Sequence, residues 1–287
     1  MKSILITGST GFIGLNILKN LINKHKIFVI LRSNSINKKK IDNFKKVKII
    51  RYEHFDQLNK KLQKIKVDVV LHCATHYTKQ HVYKDIPKLA ESNIVFGNII
   101  LENLIKMKTK KFINFSTVWE DYNSQKDNDF NLYSVYKKSF TKLVNFYKKK
   151  FNKIAFYNIM INNTYGKNDN RLKIINVLRE NYKKDRTTSI MSKNLSINLL
   201  NVLDIIDAIN LIINRNIKPN TYLLKNLISF KLVNIINFFN KNNNKKIKVK
   251  WLSNKLINEK IYPYNQLKNW KPKKSKLIDV IKIIKGA

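Results

Sequence analysis

Tyr133 and Lys137 stand four residues apart, the spacing that places two side chains one turn apart on the same face of a helix. A phenol beside an ammonium can move a proton near neutral pH. Alone, a tyrosine with its reference pKa of about 10 is a sluggish acid or base. A lysine cation at about 4 Å, in an effective dielectric of about 20, favours the phenolate by roughly 4 kcal/mol. That lowers the phenol by at most about three pH units. An alcohol is also needed to hold the oxygen that takes the proton. Ser116-Thr117 closes an apolar run upstream of the pair, and Thr117 supplies that hydroxyl, with Ser116 beside it towards substrate. Such a trio serves carbonyl reduction or its reverse, with hydride added to carbon and a proton to oxygen. A second Tyr-x-x-x-Lys, Tyr122 with Lys126, sits in a polar run without apolar periodicity and reads as loop.

Hydride needs a carrier. Glycine is scarce, yet three of the six glycines, Gly8, Gly11 and Gly14, fall in the run Thr7-Gly8-Ser9-Thr10-Gly11-Phe12-Ile13-Gly14. Between a strand and a helix this run reads as a phosphate-binding turn. Gly8 permits the sharp turn, Gly11 lets backbone approach a pyrophosphate, and Gly14 lets helix pack on strand. The helix N-terminus offers free N–H groups to the anion. The next strand ends in Arg32-Ser33-Asn34-Ser35. An acid there would hold a ribose 2′-hydroxyl, as in NAD sites; Arg32 instead suits a 2′-phosphate. The expected cofactor is NADP(H) rather than NAD(H), held by residues 8–14 with Arg32 and Ser33.

These groups need a scaffold that gathers them at one edge. The first half alternates short apolar runs with helical periodicity. Strands are expected at 2–7, 26–32, 47–52, 67–72, 111–116 and 154–161. Helices are expected from Phe12 to about Asn23, over 57–65, as one long element over 86–107, and over 133–151. Near-continuous apolar strands separated by helices imply an α/β, doubly wound parallel sheet of the Rossmann kind. Ligands of such sheets bind beyond the carboxyl ends of the strands. After Gly166 the alternation fades. Helices are expected at 171–183, 204–213, 230–240 and 276–284, with short strands near 196–202 and 247–251. The expected division is a cofactor-binding part over 1–165 and a smaller, mainly substrate-binding α/β part over 166–287, with the chain free to cross between them. Lys241–Lys246 reads as a solvated loop.

Composition narrows the classes. Hydrophobic residues make up 44% of the chain, which fits a globular protein. No apolar run reaches the roughly 18 to 20 residues of a membrane span, and the polar Thr7–Gly11 cuts the apolar start short of a signal peptide. Cys73 is the sole cysteine, so a reducing, cytoplasmic setting is expected, without disulfide or cysteine metal site. His72, His76 and His81 lack a carboxylate to complete a metal set. The net charge is +39, from 57 Lys and Arg against 18 Asp and Glu. Only Arg32, Arg51, Arg171, Arg179, Arg186 and Arg215 are arginines, and the lysines are scattered. That is the balance of an AT-rich coding sequence, not of a nucleic-acid surface, which would favour arginine forks. Nucleic acid is therefore not an expected partner, although the charge would draw in anionic ligands.

On these motifs the chain resembles the extended short-chain dehydrogenase/reductase family, its NAD(P)-dependent epimerase/dehydratase group. Thr7–Gly14 is similar to the family's TGxxGxxG loop. His72-Cys73-Ala74-Thr75 resembles the strand end that lines the cofactor, which implies contacts from Cys73 and Ala74. Asn93 matches the asparagine of the following helix. Thr117, Tyr133 and Lys137 match the catalytic triad, whose lysine also binds the nicotinamide ribose. Asn163-Thr164-Tyr165-Gly166 resembles N-x-Y-G, which implies that Asn163 contacts the substrate diphosphate. Trp270-Lys271-Pro272 resembles a C-terminal W-x-P signature. The stretches Asn114–Glu120, Asn131–Tyr133 and Tyr165–Arg171 look most like 4-ketosugar reductases of the CDP-abequose and CDP-paratose synthase type. Arg171 then becomes a candidate diphosphate or sugar contact. The resemblance implies a nucleotide-sugar substrate, deoxysugar and surface polysaccharide biosynthesis, and pairing of two copies. The group's 4,6-dehydratases follow the threonine with Asp-Glu, whereas here Val118-Trp119 follows, which argues against dehydration. Trp119-Glu120 in place of the usual Tyr-Gly alters the sugar pocket. The two rival expectations are a 4-epimerase that retains NAD and, more distantly, an RNA-binding protein on a dehydrogenase fold.

Overall fold

A computed structural model describes residues 1–37 and 39–286. The alternating pattern of the first half becomes β1 (Ser3–Thr7), α1 (Phe12–Leu21), β2 (Lys26–Arg32), α2 (Lys39–Asp42), β3 (Val47–Tyr52), α3 (Phe55–Gln63), β4 (Val69–His72), α4 (Ile86–Ala90), α5 (Phe96–Glu102), β5 (Lys111–Thr117), α6 (Leu132–Lys150) and β6 (Ala155–Ile161). The sheet runs β3-β2-β1-β4-β5-β6 and continues through the short strands Thr221–Leu224 and Asn265–Gln266. β1 pairs in parallel with β2 and β4, β2 with β3, and β4 with β5. The order reverses between β1 and β4, which opens a crevice beyond their carboxyl ends. There Thr7 lies opposite His72 in register. Ile4, Leu5 and Ile6 of β1 and Val70 and Leu71 of β4 are fully covered, as apolar strands between two helical layers must be.

α6 starts where its sequence tells it to. The Asn131 side chain accepts from Ser134 N at 3.0 Å, and Asn131 N donates to Ser134 Oγ at 3.0 Å. This reciprocal cap satisfies two groups that the helix start would leave unpaired. Lys148, Lys149 and Lys150 close the helix, where cations suit the dipole. Its covered face carries Ser134, Lys137, Phe140, Val144 and Tyr147. Lys137 thus shares the apolar stripe by spacing alone.

The long helix expected over 86–107 is not continuous. Glu91–Val95 is a π-turn between α4 and α5, and the helix stops at Glu102. The wider turn has a local purpose. Asn93 within it is buried, accepts from Thr75 Oγ1 at 2.7 Å and His76 N at 3.0 Å, and donates to His76 O at 3.0 Å. It thereby fixes the loop after β4, a use to which π-bulges are often put. Lys126 lies in a turn and Tyr122 in an isolated bridge, so neither is helical, in keeping with the loop expected of that pair.

The chain divides into two compact units. The first holds residues 1–160, 210–223 and 262–266; the second holds 161–209, 224–261 and 267–287. The second unit pairs Asn163–Tyr165 with Leu199–Asn201, Thr188–Ile190 with Val249–Trp251, and Leu195–Ile197 with Phe230–Lys231 and Ile257–Asn258. Helices Ile174–Lys183, Leu232–Lys241 and Leu277–Lys285 bury Leu178, Ile235, Phe239, Val280 and Ile284 in one core. The first of these begins three residues later than its periodicity suggests, and strand 196–202 splits at Asn198.

The Trp270-Lys271-Pro272 segment is anchored by Asp204. Trp270 Nε1 donates to the Asp204 carbonyl at 3.0 Å. The Asp204 carboxylate, 1% exposed, accepts from Lys273 N, Lys274 N and Ser275 Oγ at 2.8, 3.0 and 2.6 Å. Among the described residues no helix is long and apolar enough to cross a membrane. An Asp204→Ala variant leaves these donors without an acceptor and is expected to lose about 2–4 kcal/mol of stability, read as a lowered melting temperature.

Candidate active site

The first turn is built by close approach. Gly8 has φ of +65°, and a Cβ there would lie 2.6 Å from Ala74 N and 2.7 Å from the Cys73 carbonyl carbon. A Cβ on Gly14 would sit 2.3 Å from Gly8 O. Side chains at either place would drive the turn apart from β4 or from α1. Gly11 N donates to Gly8 O at 3.0 Å and tightens the loop. Thr7 Oγ1 accepts from Ala74 N at 3.1 Å and meets His72 Nδ1 at 3.1 Å, which ties the ends of β1 and β4 together. The N-terminus of α1 has no acidic residue in its first turn and no side-chain cap. Ser9 Oγ is buried and has no hydrogen-bond partner among the described residues. An uncapped helix start, a backbone cradle and an orphaned hydroxyl fit a dinucleotide pyrophosphate.

Arg32 ends β2, as read, with Ser33 N donating to Tyr52 O at 2.8 Å. The guanidinium has a companion that the local sequence does not show. Glu91, from the π-turn, accepts from Arg32 Nη1 at 3.3 Å, with both side chains about half exposed. Tyr52 beneath them is pushed up to about 12, first by burial; Arg32 opposes the shift and Glu91 adds to it.

Lys137 and Thr117 come from α6 and β5. Lys137 is 3% exposed and its Nζ lies over the Phe140 ring, 6.0 Å from the centroid. Burial lowers its pKa, while the neighbouring Glu120 and Cys73 oppose the shift. The His72 ring stacks with Phe96 and Phe112 and lies tilted against Phe140. Burial, and then Lys137, hold it neutral with a pKa of about 3. Burial drives the Cys73 thiol far above its usual range. The end of β4 therefore faces the glycine turn through Cys73 and Ala74 and faces Lys137 through His72 and Cys73. Tyr133, one turn before Lys137, is half-buried and meets Tyr77 edge-on at 5.1 Å between centroids. Tyr77 leans on Trp119 at 6.0 Å, and Trp119 on Phe130 at 5.0 Å. An aromatic wall thus flanks the phenol, set by the Trp119 that departs from the usual tyrosine.

Thr117 is 8% exposed and its hydroxyl accepts from Trp119 N at 3.3 Å. Ser116, expected near substrate, is buried and donates its hydroxyl to Glu120 Oε1. Glu120 is the group that sequence reasoning passed over. It is 3% exposed and also accepts from Thr141 Oγ1 at 3.3 Å. Burial pushes its carboxyl up, and Lys137 pulls it back down. An acid directly after an apolar run, in a chain so poor in acids, was the available signal. The stretch between Glu120 and α6 is pinned by Lys138. Its Nζ donates to Glu120 O and Asp121 Oδ1, each at 3.0 Å, and bridges to Asp127 at 2.6 Å.

The expected substrate residues of the second unit have protein partners of their own. Asn163 Nδ2 donates to both Glu259 oxygens at 3.1 and 3.2 Å. Asn162 Nδ2 and Asn198 N also reach Glu259, whose pKa is raised by burial. Arg171 forms a two-pronged pair with the buried Asp169, each contact 2.8 Å, and bonds Thr164 O and Oγ1 at 3.0 and 2.9 Å. Among the described residues no group of three His, Cys, Asp or Glu is placed to hold a metal ion.

Residues 4–224 match the model of the NAD dependent epimerase/dehydratase family. A CDP-abequose synthase of Yersinia pseudotuberculosis is 26% identical over 208 residues, 72% of this chain and 71% of that protein. A dTDP-D-glucose 4,6-dehydratase of Dictyostelium discoideum is 31% identical over 158 residues, 50% of this chain and 36% of that one. Among solved structures, a UDP-glucuronic acid 4-epimerase variant from Bacillus cereus, in complex with UDP-4-deoxy-4-fluoro-glucuronic acid and NAD, superposes with a TM-score of 0.81. It is 20% identical, with 98% of this chain and 96% of that chain covered. If the glycine cradle holds a dinucleotide, Gly14→Ala should weaken NADPH binding by at least about tenfold, measured by calorimetry, because the added methyl meets backbone that cannot yield cheaply.

Proposed function

Since this chain belongs to the NAD dependent epimerase/dehydratase family, we propose that it reduces a nucleotide-activated 4-keto-6-deoxysugar with NADPH. The observation that carries the reading is the meeting of the glycine turn and the buried Lys137 on the end of β4, one helical turn from Tyr133. The likeness to a CDP-abequose synthase supports the substrate class.

The chain's own groups divide the work. Residues 8–14, Cys73 and Ala74 cradle the dinucleotide, and Lys137 holds the nicotinamide ribose. The nicotinamide, when bound, supplies the hydride. Thr117 orients the C4 carbonyl oxygen. Tyr133 gives that oxygen its proton, and the Lys137 ammonium makes the phenolate left behind tolerable. Tyr77 and Trp119 shield the phenol from water and offer the sugar an apolar face. Val118-Trp119 after Thr117 supplies no acid and base for elimination, which supports reduction over dehydration.

Arg32 supports NADPH. An exposed Arg–Glu pair is worth at most about 1 kcal/mol. A 2′-phosphate offers a stronger, charge-assisted partner to the same guanidinium. Glu91 beside it motivates the second reading, a 4-epimerase that retains NAD(H), because a carboxylate there suits a free ribose 2′-hydroxyl.

NADPH oxidation scanned over CDP-, dTDP-, GDP- and UDP-4-keto-6-deoxysugars tests the reading. Steady consumption with one of them is expected; tightly co-purifying NAD(H) without net consumption would favour the epimerase. Tyr133→Phe should lower kcat by about 10²–10⁴-fold with little change in KM, and a full rate in this variant sinks the mechanism. Arg32→Ala should raise the NADPH Kd by about tenfold, the loss of one charge-assisted contact, and leave NADH binding nearly unchanged.

A further inference from the structure

The second unit holds a crevice of about 180 Å³ whose walls carry more positive than negative charge. Three stretches of chain meet there: the loop after Tyr165, the last turns of helix Ile174–Lys183, and the end of helix Leu277–Lys285. The cations of the lining are Lys167, Arg179 and Lys183, and its one acid is Glu180. The crevice shares no residue with the glycine turn or with Thr117, Tyr133 and Lys137. We propose that it is a binding site for a compact phosphoryl anion: inorganic phosphate, pyrophosphate or the phosphate end of a larger ester.

Arg179 is the built part of the site. Its side chain is only 9% exposed. Nη2 donates to Asp169 O at 2.8 Å, and Nε pairs with Glu180 at 3.1 Å. Nη1 has no hydrogen bond among the described residues. A guanidinium so covered ordinarily meets a carboxylate of similar burial. The covered carboxylate at hand, Asp169, is taken on both oxygens by Arg171. Arg179 is left with a neutral carbonyl and the half-exposed Glu180, so charge and a nitrogen stay unspent at a residue that lines the crevice. Lys167 and Lys183 are exposed, and neither side chain makes an ion pair or hydrogen bond among the described residues. Lys183 lies beside Gly286, where a Cβ would stand 3.4 Å from its Nζ. Helix ends by themselves draw lysines, but they do not account for a covered arginine with an unspent nitrogen. The three cations exceed Glu180 by two charges. A dianion balances that excess, whereas one carboxylate would leave half of it. Size agrees, since pockets for drug-sized ligands begin near roughly 300 Å³. Several oxygens on one small centre also suit an arginine fork flanked by lysine point charges.

The probe is inorganic pyrophosphate, titrated into the full chain at constant ionic strength so that general screening does not change. NMR of protein labelled with carbonyl-¹³C lysine and ¹⁵N glycine reads Gly286 alone, because Lys285-Gly286 is the single Lys-Gly pair of the sequence. Carbonyl-¹³C threonine in place of lysine reads Gly8 and Gly11, which separates the crevice from the glycine turn. The Gly286 signal should shift saturably. Lys167→Gln and Lys183→Gln should each raise its midpoint by about tenfold, the loss of one charge-assisted contact. Any midpoint at Gly8 and Gly11 should stay where it was. Both lysines are exposed, so folding survives either change. CDP in place of pyrophosphate identifies the source: a lower midpoint at Gly286 assigns the site to a nucleotide's phosphates, a higher one to the free anion. A Gly286 signal that does not saturate with either probe, or that keeps its midpoint in both variants, overturns the proposal.

Discussion

One buried cation organises the first unit. Lys137 belongs by spacing to the apolar face of α6, so the helix cannot dock on the sheet without taking an ammonium out of water. Isolated charges are not tolerated at that depth. What surrounds it is arranged accordingly: a neutral His72 packed among phenylalanines, a half-buried Cys73 held as thiol, and the carboxyl of Glu120 held by Ser116 and Thr141. The capped start of α6 then leaves Tyr133 one turn back, half in the open and backed by Tyr77 and Trp119. The ionisation of Lys137 and the docking of α6 are two readings of the same electrostatic arrangement.

The glycine turn imposes the complementary constraint, one of distance. Gly8 touches the backbone of Ala74, and Gly14 touches Gly8, so β1, α1 and the end of β4 meet backbone to backbone. Thr7 and Asn93 hold the two sides of that meeting, one between strands and one from a π-turn that a regular helix would not supply. The turn is thereby closed by backbone while side chains are kept out. The glycine loop and the buried lysine thus share the same strand terminus.

Polar side chains in the second unit solve a different problem. Its strands are short, and its core relies on helices Ile174–Lys183, Leu232–Lys241 and Leu277–Lys285. Asp204 gathers backbone donors of the segment around Trp270 and lets the chain turn into its last helix without unpaired groups. Asp169 and Glu259 play similar parts, each drawing in residues that resemblance assigns to substrate, Arg171 and Asn163. Pre-formed bonds of this kind fix where such side chains point before any ligand arrives, and a ligand that used them would exchange partners rather than fill open valences.

By itself, the sequence determined the strands, the glycine turn and the helix that carries Tyr133 and Lys137. The six apolar runs became strands β1 to β6, with bounds within two residues of those read from pattern. The glycine spacing marked the turn, and Tyr133 and Lys137 fell on one helix because a helix repeats every 3.6 residues. Tertiary structure decided what depends on residues far apart in the chain. The break at Glu91–Val95 answers to the loop at 75–76, which no helical periodicity encodes. Glu91 reaches Arg32 across 59 positions, and Glu259 reaches Asn163 across 96. Even Ser116 and Glu120, close in sequence, meet only because β5 ends in a tight turn under α6. Periodicity records which side of an element is covered; only packing settles which charge lies against which, and that is where the ionisation of the candidate site is set.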